Sequence, residues 1–362
     1  MLLQMEGFDH YGAGNLHTSS TVMSQYFVNN GYTLPTGTSI TNTSYGKTAG
    51  SLGVRMYAST NASLVWIEKP IRPDQYKGAL PWQHTDKVVL GFAFRIVIAP
   101  TGRLMFARIG GFELGVGSDW QLYVGAGGEV QTGYSVELNI WNYCEIEINT
   151  TDNKARLYMN DYLAYEGDLA EGATLDKFEL RSFYATGGTA NHQVIDVDDL
   201  YLIDGSGEIN NQRLGKVQVL TRYPKADAET AWNRSGGLAN YLNVNEATPN
   251  GDTNFVSSNV PGATDFYQNT DIFETIDDAA ICGVAVVPYA RMVEPDSLAI
   301  TAVVESDGVV AEGERMKLKA ASYTAEKNIF ELDPATTQRW LPNAVINMKF
   351  GVRVLDRDLD NA

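Results

Sequence analysis

The run QVIDVDDLYLIDGSGEINNQRLGKVQVL, Gln193–Leu220, decides how this chain is divided. Its first part, Val194 to Ile203, alternates apolar and polar residues as a strand does, and it is dense in carboxylates. The polar loop DGSGEINN follows at Asp204 to Asn211, and Lys216 to Leu220 is strand-like again. The pattern predicts the closing strand of one β domain, a linker, and the opening strand of a second. The expected domains are residues 1–205 and 206–362. Most of the acidic residues in this run are then architecture rather than chemistry.

N-terminal to that run, Lys87 to Ile98 (KVVLGFAFRIVI) is nearly continuously apolar and rich in β-branched and aromatic residues, the pattern of a core strand. Turns follow at Pro100-Thr101-Gly102, Gly110-Gly111 and Gly125 to Gly128. In Asn142 to Ile148 (NYCEIEI), Tyr143, Glu145 and Glu147 share one face and Cys144, Ile146 and Ile148 the other. This predicts an amphipathic strand with both glutamates turned to solvent. Asn160-Asp161 signals a hairpin turn. Turns recurring about every 8–12 residues predict an antiparallel sandwich. Beyond residue 206, Ile281 to Val287, Ser297 to Glu305 and Lys349 to Leu355 read as strands, and Trp340 to Ile346 as a short helix. The fold class expected is all-β: an N-terminal antiparallel jelly-roll sandwich, then a second β-rich domain with one or two short helices.

The chain has 362 residues, enough for two cores, and a formal net charge of −17. That charge argues against a nucleic-acid backbone or an anionic membrane as partner. The two cysteines, Cys144 and Cys282, fall in different expected domains, so no disulfide framework is predicted. Cys144 reads as a small core residue. The start, MLLQME, lacks the basic and apolar regions of a secretory signal, which predicts a chain made and folded in a cytoplasm.

Four features of the sequence bear on chemistry. Asp196, Asp198, Asp199 and Asp204 form an acidic cluster. On a strand, Asp196 and Asp198 share a face, where they could ligate Ca²⁺ with backbone carbonyls or act as an acid–base pair. The structural alternative is a solvated acidic face with Asp199 fixing a loop. Asp196 and Asp198 are retained as calcium candidates, and no other cofactor is expected. His10, His17, His84 and His192 have no zinc spacing. Neither a G-x-S-x-G elbow nor a phosphate-binding loop occurs. No catalytic residue is therefore assigned and the chain is expected not to be an enzyme. Among the aromatics Trp66, Trp82, Trp120, Tyr123, Trp141 and Tyr162, Trp82 and Trp120 lie beside turns and are the candidates for stacking on a sugar; packing or a subunit interface is the structural alternative.

The run Trp141 to Asp161 resembles the central hairpin of laminin-G/concanavalin-like jelly rolls, and VIDVDDLYLID resembles their last strand. A wider resemblance rests on MEGFDHYG, KVVLGFAFR, DDLYLIDGSGEINNQRLGKVQVLTRYP, PNGDTNFVSS and MKFGVRVLD. These are similar to a family of tailed-bacteriophage virion structural proteins, with a departure in the polar stretch 29–50. The resemblance implies fold and context rather than chemistry. It implies a structural component of the virion, made in the host cytoplasm. The component would dock on the tail or capsid surface against other virion proteins as a homo-oligomer, with neither nucleic acid nor membrane as partner. A carbohydrate-binding adhesin of the same particle, recognising a host-surface glycan, is the alternative. A glycan-degrading enzyme, which would need two carboxylates across a groove, is the third reading.

Overall fold

In a computed structural model the chain divides into two compact units, Met1–Leu220 and Thr221–Ala362. The structure describes residues 1–12, 14–15, 28–34, 39–43, 46–48, 50–58, 65–71, 87–98, 102–125, 129–170, 175–184, 193–248, 250–269, 279–293, 298–320 and 322–356. Both units are built from antiparallel strands.

The strands of the first unit are β1 (Leu2–Glu6), β2 (Gly14–Asn15), β3 (Ser39–Thr43), β4 (Gly53–Ala58), β5 (Val65–Pro70), β6 (Lys87–Ile96), β7 (Leu104–Ile109), β8 (Phe112–Val116), β9 (Gln121–Gly125), β10 (Val130–Ser135), β11 (Asn142–Asn149), β12 (Lys154–Met159), β13 (Tyr162–Asp168), β14 (Lys177–Tyr184) and β15 (Gln193–Ile203). One sheet has the order β13-β12-β11-β6-β15-β4-β3-β2, with β1 also paired to β15. The other has the order β10-β9-β8-β7-β14-β5. Strands adjacent in space are often distant in sequence, as a jelly-roll sandwich requires. The apolar positions of the two sheets face each other. Phe94 of β6 meets Phe106 of β7 with ring centroids 4.6 Å apart, and both are fully buried. Cys144 lies in this core.

The outer face of the larger sheet is covered, which alters the boundary expected from sequence. Residues 205–220 belong to the first unit, and Lys216–Leu220 forms no strand. They run as a strap over β15, β6 and β11. The Leu214 amide donates to the Tyr201 hydroxyl at 3.1 Å and the Gly215 amide to Glu145 Oε1 at 2.9 Å. Arg213 and Tyr201 also bind the Glu145 carboxylate, and the Val219 amide donates to Asp199 Oδ1 at 2.8 Å. Glu145 and Glu147, expected in solvent, are 1% and 8% exposed. Glu145 can be buried because the strap supplies donors to it, and Glu147 because Arg156 and Lys87 of the sheet pair with it. Gly91 of β6 leaves room for Tyr201 beneath the strap: a Cβ at that position would lie 2.1 Å from the Tyr201 ring.

The second unit has a five-stranded sheet in the order Pro224–Glu229, Thr264–Asn269, Lys349–Leu355, Ala299–Ser306, Val309–Glu312. One α-helix, Pro342–Asn347, stands among its described residues. Val284, Val304, Phe330, Trp340, Val345 and Met348 form its core, with the Trp340 indole donating to the Phe330 carbonyl at 2.8 Å. Fully buried Asp265 ties the excursion after the first of these strands to the sheet. It accepts from the Ala231 and Trp232 amides, the Asn240 side chain and the Tyr267 hydroxyl, all at 2.7–2.9 Å.

Candidate functional site

The outward face of the six-stranded sheet carries a belt of charged side chains. It arises from alternation. In β8 and β14 the same triplet recurs, Phe112-Glu113-Leu114 and Phe178-Glu179-Leu180; each buries its Phe and Leu in the core and turns its Glu outward. The pairing aligns these residues. Glu68 lies opposite Glu179, Glu179 opposite Arg108, Arg108 opposite Glu113, and Glu113 opposite Gly125. One line of register thus crosses β5, β14, β7, β8 and β9.

Arg181 is the deepest cation of the belt, with its side chain 9% exposed. It pairs with Glu113 through Nη2 and with Glu179 through Nη1 at 3.7 Å. Its Nε has no hydrogen-bond partner among the described residues. Arg108 lies above, half-exposed, 3.7 Å from Glu113 and 4.0 Å from Glu179. Lys177 bridges Glu68 at 2.5 Å and Glu179 at 3.4 Å, which relieves the juxtaposition of those two carboxylates. The hydrogen bond to Glu68 raises the Lys177 pKa and keeps it charged.

Toward the free edge of this sheet the face becomes aromatic and amide-rich. Tyr123 of β9 pairs in register with Gln131 of β10. Asp119 accepts from the Tyr123 hydroxyl at 2.8 Å and from the Gln131 amide at 3.1 Å. Desolvation raises the Asp119 pKa, but the bonds from Tyr123 and the Gln121 backbone together outweigh it and hold the value below its ordinary one; the same Tyr123 bond raises that of Tyr123. The Arg103 guanidinium stacks 4.3 Å from the Tyr123 ring centroid. Trp120 sits in the turn before β9 with φ of 63°, a strained setting for a bulky side chain. Its amide donates to the Gly117 carbonyl at 3.0 Å and its carbonyl accepts from Val136 at 2.9 Å, so the turn is fixed from both sides. The indole is half-buried. Of the two aromatic candidates from sequence, Trp120 therefore lies next to this face, and Trp82 lies outside the described residues.

The acidic cluster is placed differently. Asp196 is fully buried and accepts from Arg55 at 2.6 and 2.8 Å and from Arg95 at 2.5 and 3.1 Å. Two guanidiniums thus engage both of its oxygens. Asp198 is 2% exposed, and its oxygens accept from the Lys47 amide at 2.7 Å and the Asp199 amide at 2.8 Å. The two carboxylates share no partner: Asp196 is held by two guanidiniums and Asp198 by two backbone amides. The described residues contain no group of three metal-ligating side chains. The solvated acidic face expected as the alternative is also absent, although Asp199 does fix a loop. His10 lies 3.4 Å from buried Glu6, and the other three histidines fall outside the described residues.

Sequence reasoning missed Arg181, Glu113, Glu179 and Arg108. The signal was the repeated Phe-Glu-Leu triplet, which puts a charge at the outward position of two core strands.

No protein-family model and no curated protein matches the chain. Solved structures share the sandwich. A sialidase matches with a TM-score of 0.38 and 11% identity over 53% of this chain and 18% of its own. An alginate lyase of polysaccharide lyase family 7 matches with a TM-score of 0.36 and 11% identity over 45% of this chain and 81% of its own. Trypanosoma rangeli sialidase matches with a TM-score of 0.33 and 14% identity over 46% of this chain and 27% of its own. The chain thus spans less than a third of the length of either sialidase. The likeness concerns the fold alone. It nevertheless corrects the expectation that the chain is not an enzyme: the chains it resembles are enzymes by name, so missing motifs are no ground for that exclusion.

Proposed function

We propose that the first unit recognises a glycan across the outward face of its six-stranded sheet. The observation that carries this is the belt itself: half-exposed Arg108 lies between Glu113 and Glu179, and buried Arg181 fixes both carboxylates from within the sheet. Ion pairs of this kind hold donors and acceptors rigidly in place. Sugar hydroxyls can donate to Glu113 and Glu179 and accept from Arg108, with little ordering cost to the protein. The aromatic edge at Tyr123 and Trp120 supplies the apolar surface that a pyranose ring needs.

The test is a glycan array probed with the full chain, with wild type compared to Arg181→Met and Arg108→Gln. Binding to at least one glycan class is expected, weakened about ten- to hundredfold by loss of a charged hydrogen-bonding partner. Arg108 is half-exposed, so its substitution reads binding without a large folding cost. An array with no captured glycan, or affinities indifferent to both substitutions, would overturn the reading. The captured glycan, incubated with the chain and followed by release of new reducing ends, reads out cleavage.

A second reading concerns context. The segments MEGFDHYG, KVVLGFAFR and MKFGVRVLD favour a place on a tailed-phage particle, in several copies and docked on other virion proteins. The glycan face would then be the adhesive surface of that particle. Electron microscopy of a particle carrying the chain, together with the mass of the isolated protein in solution, tests this context independently of glycan binding.

A further inference from the structure

The belt on the six-stranded sheet balances three carboxylates, Glu68, Glu113 and Glu179, against three cations, Arg108, Lys177 and Arg181. Glu179 faces all three cations: Arg108 at 4.0 Å, Arg181 at 3.7 Å and Lys177 at 3.4 Å. Glu113 is shared by Arg108 and Arg181, and Glu68 holds Lys177. Every cation of the belt thus has its carboxylate. Glu129 adds a further acid at the end of the line. Its Oε2 lies 2.7 Å from where a Cβ of Gly125 would stand, and Gly125 pairs with Glu113. At the aromatic edge the same balance holds: Asp119 accepts from the Tyr123 hydroxyl, and Arg103 lies on the Tyr123 ring. The chain as a whole carries a formal charge of −17.

Resting on the glycan reading above, we infer from this balance that the ligand of the face is a neutral glycan: a hexose chain that presents hydroxyls and carries no carboxylate, sulfate or phosphate. A hydroxyl is donor and acceptor at once, so it can donate to Glu113 or Glu179 and accept from Arg108. Arg108 stands 3.7 and 4.0 Å from those two carboxylates, farther than a hydrogen bond, which leaves that capacity in place on both sides. A sugar carboxylate only accepts. It would satisfy Arg108 while offering nothing to either glutamate. It would also lose its own hydration and bring another negative charge among fixed ones. No surplus of positive charge offsets that loss, and at longer range the acidic chain repels a polyanion.

An array that pairs neutral glycans with acidic counterparts, probed with the full chain, tests this. The pairs are β-mannan with mannuronate oligomers, β-glucan with glucuronate oligomers, and galactose-terminated chains with and without a terminal sialic acid. Capture is expected on neutral members, with the acidic counterpart at least about tenfold weaker. Glu179→Gln removes the carboxylate common to the three cations. It should narrow that gap about three- to tenfold by raising affinity for the acidic member. Glu68→Gln takes one carboxylate from Lys177 alone and leaves Arg181 both of its own, so it should shift the gap in the same direction at a smaller cost to folding. Acidic members bound as tightly as neutral ones, or more tightly, overturn the neutral assignment and leave glycan recognition standing. A gap that neither variant narrows overturns it as well. An array without capture on any member overturns glycan recognition itself, and the neutral assignment with it.

Discussion

Single residues in this chain have roles set by partners remote in sequence. Asp196, Asp198 and Asp199 fall within four consecutive positions, yet each answers to a different group: two arginines, two backbone amides, and a lysine with the strap. Their identity as architecture was legible, because a strand pattern runs through them. Their burial was not, since nothing local announces that residues 213–219 will lie on top. Asp198 gives a pH prediction. Its folded-state pKa, near 8, stands above the ordinary 3.8, so folding favours the protonated carboxyl. Its stabilising contribution is full in acid and is lost as pH rises through the folded value. Denaturant unfolding from about pH 4 to 8, the span between the two values, should show stability falling more steeply in the wild type than in Asp198→Asn. Parallel slopes would show that Asp198 ionises freely, without a cost to the fold.

Among the elements, the strap 205–220 separates what the sequence could show from what it could not. β6 and β11 were readable from apolar runs and strict alternation, and both exist where expected. The glutamates of β11 read as solvent-facing because alternation reports two faces and not what covers them. Strand Pro224–Glu229 went unread because its PKADAE pattern has few apolar residues; it lies at one edge of its sheet and is half-exposed. The strap also sets a limit on dissection. A fragment ending at residue 220 should unfold cooperatively near the transition of this unit in the full chain. A fragment ending at 205 strips donors from Glu145 and Asp199, each worth about 1–3 kcal/mol when a buried carboxylate loses them. Circular dichroism melts of the two fragments check this; equal midpoints would mean that the strap only rests on the sheet.

For the whole molecule, the all-β class was accessible from turn spacing and strand pattern. The belt on the six-stranded sheet was not, because it depends on which strands become neighbours: Glu113 and Glu179 are brought to either side of β7 by topology alone. That belt is the basis for assigning glycan recognition to the first unit. Hydrogen–deuterium exchange of the full chain, with and without a glycan captured on the array, tests the assignment most directly. The account predicts slowed exchange in β14, β7, β8 and β9, with the strap over the opposite sheet unchanged. Protection confined to the strap or to the second unit, or none at saturating glycan, would contradict it.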